Sequence, residues 1–294
     1  MTQSTTALID LHTHTTASDG SCRPAEVVAA AKAAGLAAVA ITDHDTTAGL
    51  DEALAAGREL GLEVIPGVEI SVNGGPTGSM HVLGLFVDHH RPDFAQAMER
   101  LQEARAQRNP QIAQKLQEMG VAVTMDMVRA HAGGGLVGRA HFAQAMVELG
   151  AVANRQEAFG RYLARGKPAY VEKYRLECDQ AMALLRAAGG VPVLAHPGLL
   201  KQPPTALEAL LRQLASMGLE GLEAHYSEHD ELLTKRLQAM AGKLGLIVTG
   251  GSDFHGAAKP DIRLGTGLGL LRTPASLLEP LRRRRDRIRA LAAQ

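Results

Sequence analysis

The chain has 294 residues, with 31 Lys+Arg against 31 Asp+Glu and 46% hydrophobic residues. That apolar share excludes global disorder, and a zero formal net charge excludes a dedicated polyanion-coating protein, which carries a basic excess. The length suits one large α/β domain or one domain with an insertion. Two cysteines, Cys22 and Cys178, give no disulfide framework and fit a reducing compartment. The stretch from Met1 to Thr6 has no signal-peptide pattern, and no run nears the ~18 apolar residues of a membrane span. The expectation is therefore a cytoplasmic protein with no membrane contact and no stable protein partner. Histidine is the anomaly, with 12 residues against 4 Tyr, 5 Phe and no Trp.

Short apolar runs alternate with Ala-rich helical stretches. Strands are predicted at 7–13, 37–42, 63–70 and 81–86, then at 191–195, 221–224, 246–250 and 267–271. Most are continuous apolar runs, as strands covered on both faces require. Helices are predicted at 24–34, 48–60, 178–188, 205–217 and 228–244. Pro24 opens the first of these and Gly35 closes it. This alternation implies parallel strands with helical crossovers, in a closed barrel first and an open doubly wound sheet second. Between about 91 and 170 the pattern changes to consecutive helices, at 92–118, 126–131, 139–149 and 155–164. A helical insertion covering the mouth of a barrel formed by 7–90 and 171–294 explains the change.

The predicted strand ends carry the chemistry. His12 and His14 close the first strand two residues apart, so an extended chain points both to one face, where two imidazoles can chelate one ion. Alone, such a pair reads equally well as a structural pair. Asp19 follows in the loop, where a turn role competes. The second strand ends in Thr42-Asp43-His44-Asp45, the third in Gly67-Val68-Glu69, and His81 opens the fourth. His196 follows the fifth, His225 the sixth, and Asp253 and His255 the seventh. An acid closing an apolar strand needs a cation. In a parallel barrel all these ends share one mouth, where active sites of such barrels lie. Imidazole and carboxylate without thiolate suit Mn²⁺, Zn²⁺ or Fe²⁺, and the set exceeds the about four to six ligands of one ion, so two or three ions are expected.

Asp10-Leu11-His12-Thr13-His14, Thr42-Asp43-His44-Asp45, Gly67-Val68-Glu69, His81-Val82-Leu83-Gly84, His196-Pro197 and Ser252-Asp253-Phe254-His255 together resemble the PHP (polymerase and histidinol phosphatase) family of metal-dependent phosphoesterases. The resemblance covers about residues 7 to 256. It implies a distorted (β/α)7 TIM-like barrel holding two or three divalent metal ions, Mn²⁺ first. One ion would take His12, His14, Glu69 and Asp253; a second would take Asp19, His44 and His255; a third would take Glu69, His81 and His196, with Glu69 bridging. Arg105…Arg108-Asn109, Gly138-Arg139-Ala140-His141 and Tyr162…Gly166-Lys167-Pro168-Ala169-Tyr170-Val171 look like the subgroup with a helical insert. That subgroup is associated with 3′,5′-nucleoside bisphosphate phosphatase and 5′→3′ exonuclease activity on short RNA. The reaction so implied is attack of a metal-activated hydroxide on phosphorus.

A second phosphate needs its own cationic clamp. Arg105, Arg108, Asn109, Arg139, His141 and Lys167 are the candidates, although Arg105 and Arg108 can also simply solvate a helix face. Asp19, His225 and His255 are candidate catalytic groups, with His225 a proton donor, a phosphate contact or a structural residue. The run Arg282-Arg283-Arg284-Arg285 sits beside a stripe of Leu277, Leu281, Ile288 and Leu291, which favours a docked terminal helix over a nucleic-acid surface. The rival functions are a phosphatase for another small monoester such as histidinol phosphate, and a metal-binding scaffold without catalysis.

Overall fold

A computed structural model describes residues 7–74 and 78–292. Its strands are β1 (Ile9–Asp10), β2 (Ala38–Ile41), β3 (Glu63–Asn73), β4 (Ser79–Leu85), β5 (Leu176–Glu177), β6 (Val191–Leu194), β7 (Gly221–Tyr226) and β8 (Ile247–Gly251). They pair in the order β1-β2-β3-β4-β6-β7-β8, with β5 beside β3. The two edges then meet: Leu11 N donates to Gly250 O at 3.1 Å and Asp253 N to His12 O at 2.9 Å. The result is a nearly closed barrel. A Cβ at Gly251 would lie 2.4 Å from His12 N, so only glycine lets β8 press this closely against the chain that carries His12.

Two sequence expectations need correction. The all-parallel reading fails at β4, which is antiparallel to both β3 and β6. Only five residues separate β3 from β4, too few for a crossover helix, so the chain turns straight back. This reversal brings His81, at the start of β4, to the same mouth as the ends of the parallel strands. The strand expected at 267–271 is a series of turns, because Gly265, Gly267 and Gly269 all adopt positive φ.

The helices are α1 (Pro24–Ala33), α2 (Leu50–Leu60), α3 (Pro92–Glu118), α4 (Met125–Ala132), α5 (Arg139–Glu148), α6 (Arg155–Ala158), α7 (Cys178–Ala187), α8 (Pro204–Ser216), α9 (Glu231–Leu244) and α10 (Leu278–Ala292). Side chains alternate across each strand. Val39 and Ile41 pack outward in the core with α1 and α2, while Ala38 and Ala40 point into the lumen with Ile9, Leu83 and Val193. Helix α3 serves two cores: Phe94, Met98 and Leu101 pack on the barrel, whereas Ile112 and Leu116 join Val128 of α4 and Phe142 and Met146 of α5 in a separate cluster.

Helix α10 seals the lumen with Leu278, Leu281 and Ile288. Leu277 of the expected stripe packs beside them, whereas the expected Leu291, near the end of the helix, is exposed. The basic run is mostly engaged. Arg282 pairs with Glu63 at 2.5 Å, Arg284 with Glu220, and Arg289 donates to Phe86 O at 2.9 Å. These bonds fasten the helix to the barrel. Among the described residues, no helix is long and apolar enough to cross a membrane.

Candidate metal centre

Nine side chains from six segments converge at the barrel mouth. His12 Nε2 and His14 Nε2 lie 3.1 Å apart, and each is 3.3 Å from Glu69 Oε2. Asp253 Oδ1 stands 3.2 Å from His14 Nε2 and 3.6 Å from His12 Nε2. A tetrahedron with ~2.1 Å metal–ligand bonds has edges of about 3.4 Å, so these four atoms already have the spacing of one ion's ligands.

On one flank, Asp19 Oδ1 lies 3.4 Å from His255 Nε2 and 3.9 Å from His44 Nε2. On the other, His81 Nδ1 and His196 Nε2 stand 2.8 and 3.0 Å from Glu69 Oε1 and 3.3 Å from each other. Glu69 thus offers one oxygen to the central group and the other to the His81–His196 group. His44 Nδ1 also approaches Glu69 Oε2, at 2.8 Å, yet both atoms are buried without a hydrogen-bond partner. Nitrogen and oxygen atoms that converge without hydrogen bonding have the arrangement of ligands around cations. The residues present therefore fit divalent ions.

Electrostatics agree with that fit. Burial alone would raise the Glu69 carboxyl, but His44, His81 and His12 hold it well below the usual range. Burial likewise opposes ionisation of Asp19, and His255 and His44 overcome it. Burial pushes His44 down to about 4, so its imidazole is neutral and ready to ligate at neutral pH. His14 behaves oppositely: against its burial, Asp253 and Glu69 raise it to about 9. The bare cluster draws a proton to the point where a cation would sit.

A second layer fixes these ligands. His12 Nδ1 lies 3.0 Å from Glu223 Oε1, while Glu223 Oε2 accepts from His196 N at 2.7 Å. Tyr226 OH and Lys259 Nζ both donate to Asp253 Oδ2, at 2.9 and 2.7 Å, leaving Oδ1 to face the histidines. Asp43 accepts from Thr15 N, Thr15 Oγ1 and Ser18 Oγ, which pins the loop between His14 and Asp19. His196 and Asp253 adopt φ of 30° and 59°, a left-handed backbone that L-residues enter only under constraint. Glu223 escaped the sequence-based site, although an acid inside an apolar strand is the same signal that marked Glu69. Substituting Glu223→Gln should weaken metal affinity or activity by about 10–100-fold, as loss of an outer-layer partner does. Metal titration checks it, and an unchanged affinity would show that His12 needs no orienting carboxylate.

Several expected roles change. His225 does not face the centre. A bulge in β7 between Glu223 and His225 turns it outward, where its Nε2 meets Gln238 on α9 at 3.0 Å, and Tyr226 faces Asp253 in its place. His255 Nδ1 donates to Asp253 O at 2.8 Å, which leaves a lone pair on Nε2, the atom that faces Asp19 Oδ1 at 3.4 Å.

A cavity of about 210 Å³ adjoins the cluster, lined by Asp19, His44 and His81 on one side and by Arg105, Arg108, Arg139, Lys173 and Arg175 on the other. Arg105 and Lys173 share the buried carboxylate of Asp45, each at 2.5 Å. Arg175 pairs with Glu172. Arg108 and Arg139 form no ion pair among the described residues. Arg108 donates only to Asn109 Oδ1, at 2.8 Å, and Asn109 Nδ2 in turn donates to Val137 O, so Asn109 positions the arginine and turns away from the cavity. Burial and the neighbouring Arg105 and Arg139 push the Arg108 guanidinium down to about 9. His141 is buried and accepts from Gly138 N at 3.0 Å, capping α5 beside the cavity. Lys167 is exposed on a turn and lines neither this cavity nor its neighbour. Lys173 and Arg175, just past the motif read from the sequence, take that place.

Asp45 ties α3 and the chain at Lys173 to the barrel. Burial would raise its carboxyl, but Lys173 and Arg105 hold it far below the usual range. A depressed folded pKa contributes stability above the ordinary carboxylate pKa of about 4 and loses it in more acid solution. Asp45→Asn should cost about 3–5 kcal/mol, since it strands two buried cations. Denaturant melts at pH 7 check this, and the deficit should shrink as wild type and variant are compared at falling pH.

Residues 10–140 match the PHP domain family. The chain is 36% identical over 250 residues to the 3′,5′-nucleoside bisphosphate phosphatase of Chromobacterium violaceum, covering 85% of this chain and 87% of that protein. It is also 36% identical over 246 residues to a 5′-3′ exoribonuclease of Haemophilus influenzae, covering 84% and 89%. A crystal structure from Bifidobacterium adolescentis, described as a metal-dependent phosphoesterase, superposes with a TM-score of 0.83 at 31% identity, covering 94% of this chain and 96% of that one. The chain belongs to the PHP family of metal-dependent phosphoesterases, and it is a hydrolase of phosphate esters.

Proposed function

We propose that this enzyme hydrolyses the 3′-phosphate of nucleoside 3′,5′-bisphosphates to nucleoside 5′-monophosphate and phosphate, and trims short RNA from the 5′ end at the same site. The observation that carries this reading is Arg108, buried, and Arg139, half-buried, two cations without carboxylate partners among the described residues, in one cavity with His44, His81 and Asp19. A monoester with a single phosphate, such as histidinol phosphate, leaves those cations unpaired. A 5′-phosphate satisfies them, and Arg can grip it through two parallel hydrogen bonds. The names of the relatives agree, since they include a bisphosphate phosphatase and an exoribonuclease.

The ligand groups accommodate two or three divalent ions, with His12, His14, Glu69 and Asp253 at the centre, Asp19, His44 and His255 on one flank, and His81 and His196 with Glu69 on the other. Mn²⁺ is the first choice, then Zn²⁺ or Fe²⁺, on the imidazole and carboxylate set. When bound, such ions supply an activated water and offset the charge of the phosphate. The protein's own contribution is positional. Arg108 and Arg139 fix the far phosphate and so set the near one over the ligand cluster. Tyr226, Lys259 and Glu223 hold Asp253 and His12 in register, so little rearrangement accompanies the reaction. The helical segment 91–170 covers the mouth and carries both arginines, which makes it the substrate-reading part of the molecule.

The test is direct. After chelation and reloading with Mn²⁺, the protein should release phosphate from adenosine 3′,5′-bisphosphate, leave AMP, and stay inert in excess chelator. No release with Mn²⁺, Zn²⁺, Fe²⁺ or Co²⁺ would overturn the reading, as would equal turnover of histidinol phosphate.

A further inference from the structure

The cavity over the ligand cluster, at about 210 Å³, is small for a nucleotide site, since small-molecule pockets run to about 300–1,000 Å³. A second cavity of about 530 Å³ shares Ser79, Arg139, Phe159, Lys173 and Arg175 with it. None of the nine ligand residues lines this second space. The shared cations thus form a wall, with the ligand cluster on one side and open volume on the other. In a 3′,5′-bisphosphate the ribose lies between the two phosphates, and the base branches from it to one side. A group carried on the far phosphate continues past the shared cations into the second cavity.

The far space is built for anions more than for a base. Its two aromatic rings, Phe159 and Tyr170, already face the Arg139 guanidinium at 5.8 and 5.4 Å from their centroids. Arg165 lines the space, is exposed, and makes no ion pair among the described residues. The carboxylates there are engaged: Glu172 by Arg175 and Tyr170, and Glu177 by Asn73 Nδ2 at 2.9 Å.

We propose that the enzyme also removes the 3′-phosphate from nucleotides whose 5′ end is a diphosphate, with the outer phosphoryl group seated in the second cavity on Arg165. This rests on the bisphosphate reading above. Water adds to the 3′-phosphorus, the bond from phosphorus to the ribose 3′-oxygen breaks, and that oxygen leaves with a proton. The products are a nucleoside 5′-diphosphate and inorganic phosphate.

The Mn²⁺-loaded enzyme should turn over adenosine 3′-phosphate 5′-diphosphate with kcat/KM within about tenfold of that for the 3′,5′-bisphosphate, releasing ADP. Arg165→Ala should lower kcat/KM roughly tenfold for the diphosphate substrate and leave the bisphosphate within about twofold, as loss of one partly exposed charge contact does. Rejection of the diphosphate by more than about 100-fold, with the bisphosphate still turned over, overturns the proposal alone and points to the base as occupant. So does an equal loss for both substrates in the variant, or 3′,5′-bisphosphate as product in place of ADP. Inertness toward both substrates removes the bisphosphate reading as well.

Discussion

Replacing Arg108 with Met should lower kcat/KM for adenosine 3′,5′-bisphosphate by roughly 10²–10³-fold while leaving the slow turnover of adenosine 3′-monophosphate within about threefold. The size follows from the cost of removing one side of a buried charge pair, about 2–5 kcal/mol. The selectivity follows from position, because Arg108 lines the cavity together with the candidate metal ligands Asp19, His44 and His81 and bonds to none of them. The same substitution should not destabilise the fold. In the free protein Arg108 is a buried cation crowded by Arg105 and Arg139, and burial already pushes its guanidinium down to about 9. Met fills a similar volume without the charge, so thermal melts should show an equal or higher midpoint. Such a gain would mark the arginine as retained for binding at the expense of stability. A matched loss on both substrates would mean that Arg108 supports the fold and does not read a phosphate.

Glu69→Gln should reduce turnover by about 10³-fold or more and strip the protein of metal. The carboxylate lies within 3.3 Å of His12, His14, His44, His81 and His196, so one substitution disturbs the central group and a flank together. The amide keeps the shape but presents N–H donors where lone pairs are needed, and it lacks the charge that offsets the cations. Metal analysis after dialysis separates this from a folding defect, since far-UV dichroism should be unchanged. Retention of full metal content with activity within about tenfold would contradict a bridging Glu69.

Most of the candidate ligands were legible in sequence because they sit in or just past an apolar strand, a place in which a charged group must find a partner. The barrel followed from strand–helix alternation, which depends on local periodicity alone. The reversal of β4 was less visible, since a short β3–β4 link shows only as a missing helix. His81 therefore looked like a strand-start oddity until β4 was seen to run backward. His225 misled for a local reason: strict two-residue alternation puts it on the face of Glu223, and a single bulge breaks that parity. Lys173 and Arg175 were missed because they lie on irregular chain where no periodicity predicts direction. Lys167, in a tempting Gly-Lys-Pro context, stays on the surface for the same reason. The C-terminal arginines were read in sequence as part of a docked terminal helix, and Glu63, Glu220 and the carbonyl of Phe86 hold three of them against the barrel.

The proposed centre reads two phosphates at once, with cations on one wall and the candidate metal ligands on the other. The most direct measurement is the ratio of kcat/KM for adenosine 3′,5′-bisphosphate to that for adenosine 3′-monophosphate, with the Mn²⁺-loaded protein at moderate salt. The cationic wall predicts a ratio of about 100 or more. A ratio near one would contradict it, because Arg108 and Arg139 would then have no part in choosing the substrate.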